Sequence, residues 1–220
     1  LYMAAEEWEW DEEEPGPPKR NRRDEYGLSL STQTGVLYGY DVGLRRGADI
    51  LEERGVDITF FTTGNAVEQH PDVLAEMHDR GHEITAHHWS EGRGSVNFDL
   101  AGMGEDVRRT ADIIEELTGE RPVGWLGPGA VSTEETVRAL AEEGFLYNAD
   151  LQDDELPYFM DVEGETLVII PFRMIGNVND YNFATFTYTS QSEPIEDAVD
   201  NLTQTFDAYY RAASETPLFF

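Results

Sequence analysis

From Gly43 onward the apolar positions alternate between helical spacing and short extended runs. Residues 44–54 read as a helix with Ala48 and Leu51 on one face, stopped by Gly55. Asp57 to Thr62 is a β-rich run. Pro71 to Arg80 reads as a helix opened by proline and closed before Gly81. Glu83 to Ala86 is extended. Residues 104–118 carry Val107, Ala111, Ile114 and Leu117 at helical spacing. Val123–Leu126 is extended, and Ser132 with Glu135 fits a capping box opening a helix over 133–143. Phe145–Ala149 and Thr166–Phe172 read as strands. Residues 194–213 predict a helix with Ile195, Val199, Leu202, Phe206 and Tyr209 on one face. A last strand begins at Pro217, and the charged, Pro-rich stretch 11–25 reads as a loop after an N-terminal strand.

Strand–helix alternation with nearly continuous apolar strands predicts an α/β fold with a parallel sheet covered by helices. About seven such units favour a barrel over an open sheet. Chemistry in such folds gathers at the carboxyl ends of strands. The loops after Thr62, Ala86, Leu126, Ala149 and Phe172 are therefore expected around one mouth. The 220 residues suit a single domain spanning 1–220. Leu1 at the start and the apolar Leu218–Phe220 at the end read as cuts from a longer chain.

Charge changes the picture next. The chain has 45 acidic against 15 basic residues, a net charge of −30. Strong brine screens such repulsion, the Debye length being about 3 Å at 1 M salt. The balance favours the cytoplasm of a halophile, with an acidic surface. Nucleic acid is not expected as a partner, since phosphate binding needs clustered cations. The one basic cluster, Lys19, Arg20, Arg22 and Arg23, is flanked by acids. No apolar run reaches membrane-spanning length and no signal peptide is visible. There is no cysteine, so thiolate chemistry and disulfides are excluded. A homo-oligomer is compatible with all of this.

Four segments could carry chemistry. His82, Glu83, His87, His88 and Glu91 crowd onto one strand and the loop after it, in a chain with 5 histidines. Imidazole and carboxylate are suitable ligands for a divalent metal. In an extended segment His82 shares a face with Ile84 and Ala86 and His87 does not, so the histidines cannot all point inward unless the loop turns after His87. The second segment is the acidic stretch Asp150–Glu155, which includes Asp153 and Asp154. The third is Gly124–Gly129, whose Gly127–Pro128–Gly129 turn could offer backbone N–H groups to an oxyanion. The fourth is Glu6-Glu7-Trp8-Glu9-Trp10, offering a general base beside flat apolar rings for a sugar. Each also has an ordinary structural reading: a wall histidine at 82, a surface histidine at 88, a solvated acidic loop, a tight turn, a core tryptophan.

The segments ITFFTTGNAVEQHPDVLAEMHDRGHEITAHHW, TGERPVGWLGPGAVSTEETVRALAEEGFLYNADLQDDELPY and LVIIPF, in this order, resemble the polysaccharide-deacetylase (NodB-homology) family. The similarity is to its branch of allantoinase-like and peptidoglycan-deacetylase-like proteins. The resemblance implies a deformed (β/α)7-type barrel, here expected to stop before its last strands. It also implies hydrolysis of non-peptide C–N bonds, typically deacetylation of an N-acetylated sugar. Metal-dependent members carry a histidine, three residues and a second histidine. His87 matches the first, and Glu91 stands at the second. The opening aspartates are absent, so Glu6 or Glu7 would substitute. Leu126 stands where an arginine belongs. A catalytic histidine on the C-terminal strand would lie beyond Phe220.

The resemblance thus implies Glu6, Glu7 and His82 as catalytic residues, and His87 and Glu91 as ligands of a divalent metal such as zinc. Trp8, Trp89, Trp125, Pro128, Asp153 and Asp154 would contact a carbohydrate or small amide substrate. Two other readings stand beside this one. The first is a metal-free, allantoinase-like ureide hydrolase. The second is a carbohydrate-binding member without catalysis.

Overall fold

Seven short strands form one sheet in the order β1-β2-β3-β4-β5-β7-β6, and all but β6 run parallel. The structure is a computed structural model describing residues 1–8, 30–92, 94–154, 156–171 and 195–213. The strands are β1 Tyr2–Ala5, β2 Thr59–Thr62, β3 Glu83–Ala86, β4 Gly124–Trp125, β5 Tyr147–Asn148, β6 Tyr158–Val162 and β7 Glu165–Ile169. The helices are α1 Leu30–Tyr38, α2 Leu44–Glu52, α3 Gly64–Gln69, α4 Pro71–Asp79, α5 Leu100–Thr118, α6 Glu134–Glu142 and α7 Ile195–Ala212. The expected strand–helix order is present, with β3 at its expected bounds, β2, β4 and β5 two or three residues shorter than their apolar runs, and β6 added.

Alternation along the strands makes two faces. On one, Ala5, Phe60, Ile84, Ala86, Trp125 and Leu167 join helix residues such as Leu74, Val107, Ile114 and Leu140 in the main core. The other face carries a smaller cluster of Phe61, Leu126 and Ala149, with Tyr2 and Tyr147 packed on it. It also carries a polar ladder. Glu83 accepts from Thr59 Oγ1 at 2.7 Å and from Tyr147 OH at 3.1 Å. Burial and the adjacent Glu83 charge push the Tyr147 phenol up.

Several elements depart from the sequence expectation. Helix α2 is preceded without a break by α1 and a π-helical stretch, Gly39–Gly43. Helix α5 starts a turn early because Asp99 caps it, accepting from Gly102 N at 2.9 Å. The cap of α6 is Thr133, paired reciprocally with Thr136, rather than Ser132 with Glu135. Ser132 is unavailable because its hydroxyl donates to Asp150. Strands β6 and β7 form a hairpin turned by Glu163 and Gly164, both at positive φ. Helix α7 forms where expected, but Val199 and Phe206 of its apolar face are exposed. The loop expected over 11–25 and the strand from Pro217 lie outside the described residues, as does Phe172.

Candidate active site

The parallel strands end at one level. Thr63 N bonds to Ala5 O, His87 N to Thr62 O, Leu126 N to Ala86 O, and Ala149 N to Trp125 O, all between 2.8 and 3.3 Å. Glu6 therefore leaves β1 beside the position where His87 leaves β3. Their side chains meet: His87 Nε2 lies 3.6 Å from Glu6 Oε1 and 2.9 Å from Glu91 Oε2. The imidazole is buried, while the two carboxylates are partly open, at 31% and 20% exposure.

His87 Nδ1 donates to the carbonyl of Leu126. That bond fixes the ring and turns Nε2 toward the acids. Burial pushes the imidazole down. The Glu91 hydrogen bond, the Glu6 and Glu91 charges and the Leu126 carbonyl outweigh it and hold His87 above the ordinary histidine value. Burial pushes Glu6 up to about 7, with His87 opposing and Glu91 adding to the rise.

One ligand atom each from Glu6, His87 and Glu91 lies within 4.8 Å of the others. Zinc takes nitrogen and oxygen ligands at about 2.0–2.2 Å, so donors up to about 4.4 Å apart can share an ion. The 2.9 and 3.6 Å pairs fall inside that reach. The donor set, one imidazole and two carboxylates, suits a divalent cation.

The chain turns after His87 because His88 adopts a left-handed conformation, φ 53°. His88 is thereby sent to the opposite side, where it is fully buried rather than on the surface. Its Nδ1 lies 2.6 Å from Asp106 Oδ2.

The other expected residues are placed as follows. Glu7 is buried and points away from His87, its Oε2 3.3 Å from His70 Nε2. His82 sits before β3, at the far end of that strand from His87. It is 3.0 Å from Glu52 Oε1, but not aligned for a hydrogen bond. Trp125 is fully buried in the core between His88 and Phe145, out of a substrate's reach. Trp89 is 6% exposed, with the Arg109 guanidinium 3.3 Å from the ring centroid. Trp8 is half-buried and Pro128 buried. Asp153 and Asp154 are exposed and bond locally, to Tyr158 OH and Leu156 N.

In the Gly127–Gly129 turn, Gly127 N donates to Asp150 Oδ1 at 2.7 Å and is not available to an oxyanion. Pro128 has no N–H, which leaves Gly129. Sequence reasoning had Asp150 only as one acid of the stretch after β5, and it missed Asp106. Asp150 is buried and also accepts from Ser132 Oγ at 2.6 Å, tying the turn to the end of β5. Asp106 stands on the buried face of α5, beside Met103, Val107 and Thr110. An acid on an apolar helical face was the signal available for it.

A family profile described as "Polysaccharide deacetylase" matches residues 38–147, half of the chain. The chain belongs to the polysaccharide deacetylase family. Among solved structures, it is similar to a putative polysaccharide deacetylase from Mycobacterium smegmatis, with TM-score 0.73 and 28% identity, covering 81% of this chain and 63% of that one. It is equally similar to the Puue allantoinase structure, with TM-score 0.73 and 30% identity, covering 86% and 61%. The peptidoglycan deacetylase of Helicobacter pylori is 28% identical over 128 residues, 57% of this chain and 43% of that protein. The chain spans under half the length of the curated relatives it matches. The fold is accordingly that of the deformed (β/α)7 barrel deacetylases. Among the described residues, no helix is long and apolar enough to cross a membrane.

Proposed function

We propose that this family member hydrolyses the amide of an acetamido group on an N-acetylated sugar or polysaccharide, at the mouth formed by Glu6, His87 and Glu91. The observation that carries the reading is the convergence of these three side chains from two strand ends and one loop. His87, Glu91 and Glu6 would hold a divalent ion, which when bound supplies Lewis-acid polarisation of the amide oxygen and a more acidic water. The His87–Leu126 bond keeps Nε2 directed at the site. Without an ion, burial pushes Glu6 up to about 7; bound to the ion it would be deprotonated, and its uncoordinated oxygen is left to accept a proton from the water. Gly129 remains as an N–H donor for the developing oxyanion. The open acids at the mouth and half-buried Trp8 offer a polar rim and an apolar surface for a sugar ring.

The test is acetate release from N-acetylated glycan oligomers by the purified chain, before and after chelation and zinc return. Release lost on chelation, restored by zinc and absent in His87→Ala supports the proposal. No release with or without zinc sinks it.

A second reading has a specific observation behind it: Glu91 stands where metal-dependent members have histidine, and the chain is 30% identical to the Puue allantoinase. In it, His87 and Glu91 form a partly buried ion pair, Glu6 alone acts as base, and the substrate is a small ureide. Ureide hydrolysis that survives strong chelation favours this reading over the first. Sugar binding without any turnover leaves a carbohydrate-binding module instead.

A further inference from the structure

The residues behind His87 form a second polar chain, buried from Asp106 to Ser95. Asp106 Oδ2 lies 2.6 Å from His88 Nδ1, and His88 Nε2 lies 2.9 Å from Ser95 Oγ. Ser95 Oγ donates onward to Val131 O at 2.7 Å. Both carboxylate oxygens of Asp106 also accept from Trp89 N at 3.3 Å. The His88 ring stacks on Phe98 at 5.5 Å and meets Trp125 edge-on at 4.7 Å. His88 and Ser95 are both 0% exposed.

A carboxylate, an imidazole and a hydroxyl in this order resemble a nucleophilic triad. The resemblance stops at the serine. Its proton is directed at Val131 O, so Nε2 faces the oxygen as donor and has no lone pair to remove that proton. Burial also keeps any substrate from Oγ.

The geometry points elsewhere. A histidine at φ 53° occupies a region that non-glycine residues rarely adopt. Such a conformation persists when its surroundings over-determine it. Here they do. Asp106 and Ser95 hold the ring, and the His88 carbonyl accepts from Gly64 N at 3.0 Å. The reversal at His88 turns the chain just after β3, with His87 facing Glu6 and Glu91 and the His88 ring bonded to Asp106. The Ser95 end of the chain grips Val131, on the loop that begins at Leu126. The Leu126 carbonyl is the acceptor for His87 Nδ1. One buried chain therefore spans both segments that fix His87: its own backbone and the loop bearing its hydrogen-bond partner.

We infer that His88, Asp106 and Ser95 are positioning residues for the proposed site, clamping the β3 loop to the 127–132 loop so that His87 stays docked on Leu126 with Nε2 toward Glu6 and Glu91. This rests on the reading that those three side chains form the site. The placement of His87 can nevertheless be measured without metal or substrate.

The experiment is nitrogen-15 histidine NMR on the metal-free chain, with His87→Ala to assign the ring. The wild type should show a slowly exchanging His87 Nδ1–H, hydrogen-bonded to a carbonyl. Ser95→Ala and Asp106→Asn should speed its exchange tenfold or more, while the His82 signals and circular dichroism stay unchanged. His88→Asn, which tolerates the left-handed backbone and keeps an amide donor, should retain more protection than His88→Ala. Wild-type protection in Ser95→Ala and Asp106→Asn overturns the inference, as does a wild type without a protected His87 proton. Loss of every histidine signal together in both variants also overturns it, since that marks a merely structural role. A zinc titration of the wild type runs in parallel. Failure to bind zinc counts against the metal reading of the site and leaves the NMR result to decide the clamp.

Discussion

Glu7 Oε2 lies 3.3 Å from His70 Nε2, while Glu6, one residue earlier, faces His87. The two adjacent acids thus serve different ends of the same local structure. Tyr40 stacks on His70 at 3.7 Å and donates to the Glu6 carbonyl at 2.9 Å. Glu7 N donates to Thr63 Oγ1, and Glu91 N donates to Glu7 O, both at 3.0 Å. Glu7 builds the wall that presents Glu6 and Glu91, and Glu6 is the acid that meets the imidazole.

That division predicts two separable phenotypes. Glu6→Ala should weaken zinc binding at least tenfold with little change in unfolding midpoint. Glu7→Ala leaves buried partners unpaired and should cost about 1–3 kcal/mol of stability. Calorimetric zinc titration and urea unfolding of both variants check this. Equal zinc affinity in Glu6→Ala and wild type would remove Glu6 from the site.

The pH dependence follows from the same carboxyl. Glu6 is raised from its usual 4.5 to about 7 in the folded chain, mainly by burial. A raised acid favours the fold in its protonated form, so its contribution is complete below pH 4.5 and is lost as pH rises through about 7. His87 is also raised, and its contribution is lost in the same direction at pH values above its usual 6.5. Metal-free protein should therefore unfold at lower urea at pH 8 than at pH 5. Glu6→Gln should flatten that slope. A variant with the wild-type slope would contradict the assignment.

How much of this was legible in the sequence depends on the type of signal. Val107, Ala111 and Ile114 announced α5 because one helical face is buried. His87 and Glu91 stood out because histidine is scarce in this chain. The parts played by Asp150 and Asp106 were hidden by the opposite circumstance. With 45 acids, composition cannot mark the few that are buried and hydrogen-bonded. Ser132 was misread as a cap because its partner, Asp150, is remote in sequence. A turn after His87 was legible only as a condition for the histidines to share one side, because a lone histidine is a weak left-handed signal. Here burial and the bonds to Asp106 and Ser95 impose it.

Position 91 tests the departure from the family pattern. Glu91→His would place a second imidazole four residues after His87, as in metal-dependent members. Imidazole suits zinc, and the carboxylate that now binds His87 Nε2 would be gone. The variant should bind zinc more tightly than wild type, read by competition with a chromogenic chelator. Unchanged or weaker binding would show that the loop does not hold position 91 where a ligand is needed.

The last prediction concerns Trp89, an expected substrate contact whose ring is instead packed inside. A Cβ on Gly64 would lie 2.3 Å from Trp89 Cε3 and 2.8 Å from Cζ3. The ring cannot easily retreat, because the Arg109 guanidinium lies over it at 3.3 Å. Gly64 N also holds the His88 carbonyl and Asn65 N holds that of Trp89, so the backbone cannot give way cheaply either. Overpacking of this kind costs about 1–3 kcal/mol, occasionally more. Gly64→Ala should therefore lower the urea midpoint by a corresponding amount. Gly64→Ala combined with Trp89→Leu should recover part of the loss, since the clash is removed with the ring. If the double variant is no more stable than the sum of the two single losses implies, the contact between Gly64 and Trp89 is not what fixes glycine at this position.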